Sequence, residues 1–164
     1  MPTPTPSRPR ALPRPLRLFY SYVSADEPYF QELDNHLAPL RQTRILETTF
    51  TLRMLPGVNH WAEIHDNLRE ADLFVPFISS DFFTSSQNLE DDQNVAIQLC
   101  QERGTRIIPI WIRPANWANL PFASLQALPL NGVPVARWPS HDAAWAQIAD
   151  EIGKVAEAMR AGPR

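Results

Sequence analysis

Residues 18–27 read LFYSYVSADE: an apolar run that ends in a Ser-Tyr pair and passes into an acidic turn, with Pro28 close behind. Bulky and aromatic side chains of this density suit a buried strand over residues 16–22. Asp26 stands where a side-chain oxygen caps a helix, and Pro28 falls in the first turn, where a missing N–H costs little. Phe30, Leu33, Leu37 and Leu40 then recur at helical spacing and turn toward a sheet, while Gln31, Glu32, Asp34 and Asn35 face water. The stretch is therefore a strand feeding a helix.

The same alternation continues outward. A second strand is expected at residues 44–50. After a Pro56-Gly57 turn, Trp61, Ile64, Leu68 and Ala71 mark a second helical stripe. The unbroken apolar run of residues 73–78 reads as a central strand. A polar loop over residues 84–90 leads to a third helix whose inner face is expected to hold Val95, Ala96, Leu99 and Cys100, with Gly104 placed to stop it. Residues 106–112 form the next buried strand, where Pro109 predicts an edge-side or bulged position. A Trp/Pro/Asn-rich connection over residues 114–129 precedes a short strand near 133–136. The last helix follows Ser140 with the stripe Trp145, Ile148, Ile152, Val155 and Met159. Strands alternating with helices predict an α/β domain with a doubly wound parallel sheet covered on both faces.

At 164 residues the chain fits one domain, expected over residues 16–160, with a short tail at 161–164. A net charge of −3 provides no basic field for nucleic acid or an anionic membrane, and no apolar run approaches the roughly 20 residues that span a bilayer. The lone cysteine, Cys100, cannot pair within the chain and sits among apolar neighbours, as an inert core thiol would. These features predict a cytoplasmic protein. Residues 1–15 carry six prolines and Arg8, Arg10 and Arg14 without an apolar segment, so they read as a disordered arm rather than a secretory signal. The arm is either a solvated tail or a proline-rich ligand for another protein.

Four segments taken in order resemble the signature boxes of bacterial TIR (Toll/interleukin-1 receptor) domains: LFYSYVSADE, Leu55-Pro56-Gly57, FISSDF at 77–82 and IIPIWIRP at 107–114. The likeness extends over about residues 16–159. It implies a flavodoxin-like order of five parallel strands, association with other TIR domains into homo-oligomers, and ligands beyond the carboxyl ends of the strands. Many TIR domains cleave NAD⁺ into nicotinamide and ADP-ribose or a cyclised product, and others serve only as self-associating adaptors. The resemblance thus leaves two functions open. It implies no tightly bound cofactor and makes NAD⁺ a candidate substrate.

In cleaving relatives a glutamate at the start of the third helix stabilises positive charge developing on the ribose. Aligned on Ser85 and on Ala96-Ile97, that place falls here on Asp92, one methylene shorter. Asp92 is the candidate catalytic residue; the alternative is that Asp91 and Asp92 merely complement a helix N-terminus. The candidate nucleotide contacts implied by the resemblance are Phe19, Tyr20, Ser21, Tyr22, Arg53, Trp61 and Ser79. Val23 replaces a small hydroxyl residue of the relatives' FISYS, and Thr51-Leu52 replaces their Asp-Arg pair. The segment Leu52, Arg53, Leu55, Pro56 and Gly57 resembles the BB loop, which in the family both meets a neighbouring domain and borders the pocket. Arg53 accordingly pairs with an acidic partner surface, touches phosphate, or is a solvated side chain beside a proline turn. Trp111, Trp117 and Trp138 offer a stacking face or core packing.

Rival classes lack their residues. A receiver domain needs a lysine after its fifth strand, and Lys154, the chain's only lysine, lies in the last helix. Dinucleotide-binding and Walker-type folds need a glycine-rich first turn, whereas the glycines are at 57, 104, 132, 153 and 162. No Gly-x-Ser-x-Gly elbow supports a serine hydrolase. The four histidines, His36, His60, His65 and His141, have no ligand spacing, and no metal is assigned. Two readings stand: a self-associating signalling module of a bacterial defence- or virulence-type pathway, and an NAD⁺ glycohydrolase that uses Asp92.

Overall fold

Along the first strand the side chains alternate between two apolar layers, and this alternation organises the molecule. The computed structural model describes residues 14–162 apart from 56, 57, 85 and 87; no side chain is described for residues 49 and 50. Strand β1 (Leu16–Val23) sends Leu16, Leu18, Tyr20 and Tyr22 to one layer, and Phe19 and Val23 to the other. Strand β3 (Leu73–Ile78) divides likewise, with Leu73, Val75 and Phe77 opposite Phe74 and Ile78. Helices α1 (Glu27–His36), α2 (Ala38–Gln42) and α6 (His141–Arg160) cover the first layer. Helices α3 (Trp61–Leu68), α4 (Ser80–Phe83) and α5 (Leu89–Arg103) cover the second. Tyr22 stacks on Phe30 in one layer at 4.6 Å between ring centroids, and Phe19 on Phe74 in the other at 5.2 Å. The expected doubly wound parallel sheet is present.

All strand pairs are parallel, and the strand order is β2-β1-β3-β4, where β2 is Leu46–Met54 and β4 is Arg106–Ile107. Strand β5 (Ile110–Trp111) resumes the line of β4 beyond Pro109 and also pairs with β3. Pro109 has no N–H for a ladder, so the strand expected at 106–112 breaks there, and its carbonyl instead accepts the N–H of Leu128. The short strand expected near 133–136 does not form. Pro134 is extended, and a 3₁₀ turn occupies Val135–Arg137, within which Ala136 donates its N–H to the carbonyl of Ile112. Among the described residues an isolated bridge, Ile110 to Leu128, is what extends the sheet on that side. The fifth strand is thus the second half of a broken fourth.

Three further expectations shift. Strand β2 begins two residues later than expected and runs on to Met54, because residues 51–54 continue the ladder against Tyr20–Val23; Leu52 and Arg53 therefore lie on a strand. The first helix stops at His36 and restarts at Ala38, since Pro39 cannot supply the N–H that the carbonyl of Asn35 would accept. Helix α5 is rotated from its expected inner face. Its buried residues are Gln93, Ala96 and Cys100, whereas Val95 is 41% exposed. Gln93 Oε1 accepts the N–H of Phe122, which draws this polar side chain inward. Gly104 ends the helix in the left-handed region at φ 77°, as expected.

Of the expected arm, residues 1–13 lie outside the described region. Arg14 grips Asp72 through both oxygens at 2.7 and 3.0 Å. No helix among the described residues is long and apolar enough to cross a membrane.

Cys100 is enclosed beneath α5, and burial pushes its thiol up to about 12 from an ordinary 9.0. Above pH 9 the unfolded chain releases this proton while the folded chain retains it, so stability falls as pH rises toward 12. Urea titrations between pH 8 and 11 are expected to show a shallower alkaline loss for Cys100→Ala than for the parent, the single-group slope being at most about 1.4 kcal/mol per pH unit.

Candidate functional site

At the carboxyl ends of β1, β3 and β5 an aspartate is enclosed by its neighbours. Asp26, in the 3₁₀ turn after β1, has no solvent exposure. A carboxylate in such a place requires partners for its charge. Ser79, at the end of β3, donates its hydroxyl to Asp26 Oδ2 at 2.7 Å, and Arg113, past β5, donates Nε to Oδ1 at 2.6 Å. The other arm of the guanidinium reaches Asp81 Oδ2 at 2.7 Å on α4. These bonds, that of Asp26 foremost, raise the Arg113 pKa above its ordinary value. Asp26 makes no side-chain cap bond to α1, contrary to the expected role. Ser79 does cap α4, accepting from Phe82 N–H at 3.4 Å.

A second cluster stands at the edge of the sheet. The ladder sets Arg53 opposite Tyr22. Arg53 Nε lies 3.6 Å from Glu27 Oε2, and the Tyr22 hydroxyl adjoins the same carboxylate. Tyr22 foremost, then Gln31 and Arg53, hold Glu27 below the usual carboxylate range against the opposing effect of burial; burial, then Glu27, raises the Tyr22 hydroxyl. The loop beyond β2 is closed by a histidine. His60 Nε2 accepts the N–H of Leu55 at 3.1 Å, and Nδ1 faces Glu63 Oε1 at 3.0 Å. Pro56 and Gly57, both expected in this loop, lie outside the described residues. Leu55 is 53% exposed and Val58 43%.

The expected nucleotide contacts are distributed unevenly. Phe19, Tyr20, Ser21, Tyr22, Trp61 and Ser79 are all buried. Ser21 Oγ lies 3.0 Å from Met54 Sδ, and Trp61 packs against Phe82 and Phe122. Arg53 is exposed, and Leu52 is half-buried against the α3 side. Asp92, on α5, is half-buried. Its Oδ2 accepts from Ser86 Oγ, whose oxygen in turn accepts the N–H of Asn88 at 3.1 Å; His65 Nε2 lies 3.2 Å from the Asp92 carbonyl. The structure thus joins Arg53 with Tyr22 and Ser79 with Asp26, and gives Asp92 a separate setting beside α3.

Sequence reasoning missed the roles of Asp26, Arg113 and His60. The available signal was topological: an Asp and an Arg just past strands that both pair with β3.

The opposite edge of the sheet carries a groove of about 610 Å³ between α5 and α6, lined by Ile97, Arg106, Ile108, Leu130, Val155 and Met159 among others. Of these, Leu130 is 50% exposed and adds apolar surface. Trp111 and Trp117 meet edge to face at 6.0 Å, while Trp138 donates Nε1–H to the carbonyl of Val133. Among the described residues no three His, Cys, Asp or Glu side chains group closely enough to hold a metal ion.

Comparison with known proteins agrees with this architecture. Residues 18–149 match the family model described as TIR domain. The chain is also 29% identical over 139 residues to the uncharacterized protein y4lF of Sinorhizobium fredii, an alignment covering 85% of this chain and 43% of the relative. The chain thus spans less than half the length of that relative.

Removing Arg113 leaves the enclosed Asp26 carboxylate, among the described side chains, with Ser79. Arg113→Met is expected to lower unfolding stability by about 3–5 kcal/mol. Asp26→Asn with Arg113→Met should lose less than the sum of the two single changes, a coupling read from urea denaturation of all four proteins.

Proposed function

The chain belongs to the TIR-domain family, and from that premise we propose that it acts as a self-association module of a bacterial signalling pathway, of the defence or virulence type. The carrying observation is where exposed large apolar side chains stand. Among the described residues these are Leu55, Val58, Val95, Leu130 and Val133. Leu55 and Val58 lie on the loop after β2, and Leu130 lines the groove along β4. Strands β2 and β4 are opposite edges of the β2-β1-β3-β4 order. A loop at one edge that seats on the groove of a second copy leaves a free loop and a free groove at the two ends of the pair. Such a head-to-tail contact propagates into an open chain rather than closing as a symmetric dimer.

Light scattering across a concentration series tests this. Leu55→Asp and Leu130→Asp are each expected to abolish growth beyond the monomer. Their equimolar mixture should form pairs and stop there, because one intact loop meets one intact groove. Assembly of either variant at the parental concentration would refute the loop-to-groove contact.

A second reading, NAD⁺ cleavage, is favoured by the fixed carboxylate of Asp92. In it the bond from the ribose C1′ to the nicotinamide nitrogen breaks, with the electron pair leaving on nicotinamide. The oxygen of water bonds to C1′ and loses a proton to solvent, and Asp92 stabilises the positive sugar in between. Relative to a glutamate, the shorter side chain displaces the charge by about 1 Å, which at a reacting centre costs on the order of 10²-fold. Slow nicotinamide release from NAD⁺ by protein clustered on beads, lowered at least tenfold by Asp92→Asn, is the expected outcome. Equal release by parent and variant would remove Asp92 from the reaction.

A further inference from the structure

We propose that a cavity beside β5 binds an uncharged, amino-bearing purine base, free or as its nucleoside, and that Trp111 and Gln126 recognise it. The connection that leaves β5 returns to the same stretch of chain. Trp111 N–H bonds to the carbonyl of Leu128, and Leu128 N–H to that of Pro109. Strand and connection together line a cavity of about 330 Å³, with Trp111, Ala115, Trp117, Ala123, Gln126 and Leu130 among its walls. That volume stands at the lower end of the roughly 300–1,000 Å³ of small-molecule sites. Leu130 is shared with the groove along β4, whereas Asp92, Ser86 and His65 line neither space. The cavity is therefore a different place from the Asp92 carboxylate.

Its walls select a flat, neutral ligand with both a donor and an acceptor. None of the described residues around it is charged, and Arg113, two residues beyond Trp111, is held by Asp26 and Asp81. A phosphate has nothing there to meet. Trp111 and Trp117 cross edge to face, so the ring that offers its edge keeps its faces clear of the other, and bases stack on such faces. Ala115 and Ala123 opposite are small enough to leave a flat ring its room. Trp111 Nε1–H is enclosed with no acceptor among the described residues. An indole N–H can only donate, and an enclosed donor left unmet is costly, so a ligand that brings a lone pair gains from it. Gln126 offers the reverse. Its Nε2 is spent on the carbonyl of Ala127, which leaves Oε1 to accept. An aminopurine carries ring nitrogens with lone pairs and an exocyclic amine on one rigid plane, and answers both groups. A proline ring on the same tryptophans brings a carbonyl but no donor, and leaves Gln126 unanswered.

Titration of the full chain with adenosine, followed on the indole N–H signals by NMR, tests the site. The Trp111 signal is expected to move and to saturate with a dissociation constant below about 1 mM. The Trp138 signal should stay in place, since its N–H is already taken by the carbonyl of Val133. Trp111→Phe keeps an aromatic wall and loses the donor; Gln126→Met, at an exposed position, loses the acceptor. Each should weaken adenosine about tenfold by calorimetry, with circular dichroism checking the fold. Purine riboside, which lacks the amine, should bind the parent about tenfold more weakly than adenosine does, and adenosine monophosphate should bind no more tightly. A Trp111 signal unmoved at about 10 mM adenosine overturns the site, as does parental affinity in both folded variants. A phosphate that tightens binding, or a proline-rich peptide that moves the Trp111 signal where adenosine does not, overturns the assignment of an uncharged base.

Discussion

The carboxylate of Asp26 is the constraint that the rest of this molecule accommodates. It lies at the end of β1 without contact with water, and its charge is tolerable only because β3 brings Ser79 and β5 brings Arg113 to the same point. Three chain segments far apart in sequence must arrive together before any of them is satisfied. The interaction therefore specifies which strands are neighbours as much as it stabilises them. Arg113 passes the constraint on to α4 through Asp81, so the helix that follows β3 is tied to the same charge.

Much of the architecture was legible in the chain because it depends on spacing. The run of residues 73–78 is buried throughout, and Phe30, Leu33 and Leu37 lie inside as their helical period requires. What could not be read depends on one side chain meeting one partner from elsewhere. Asp26 looked like a helix cap because the same residue type serves both roles at that place. Helix α5 turned its face because Gln93 bonds to Phe122, an attraction that no apolar pattern reveals. The missing strand near Val133 failed on Pro134, which punctuates the chain just where a ladder would have to begin. His60 was set aside as a histidine without ligand spacing, a test blind to a ring that bonds to backbone.

The two faces of the proposed module follow from the same irregularities. Pro109 breaks the fourth strand, Leu128 answers with a single bridge, and the outer edge of β4 is left beside an apolar groove. Across the sheet, β2 extends farther than its composition predicts and carries Arg53 into register with Tyr22, against Glu27. Asp92 stands apart from both edges, held by Ser86 and beside His65. Association and any chemistry thus draw on different residues.

The register of β2 against β1 slips once, between Leu18 and Phe19, where Thr48 and Phe50 are the successive partners. Leu46, ahead of the slip, joins the layer under α1 and α6; Leu52 and Met54, of the same parity, face α3. The strand accordingly holds one residue of slack. A chain shorter by one residue here can draw the bulge flat and still keep Leu16 beside Leu46 and Val23 beside Met54, so the departing loop stays where it is. A chain shorter by two has nothing left to draw on and must shift its end, carrying Met54 out of the interior. A one-residue deletion is therefore tolerated at this one place, upstream of the loop, and a two-residue deletion is not.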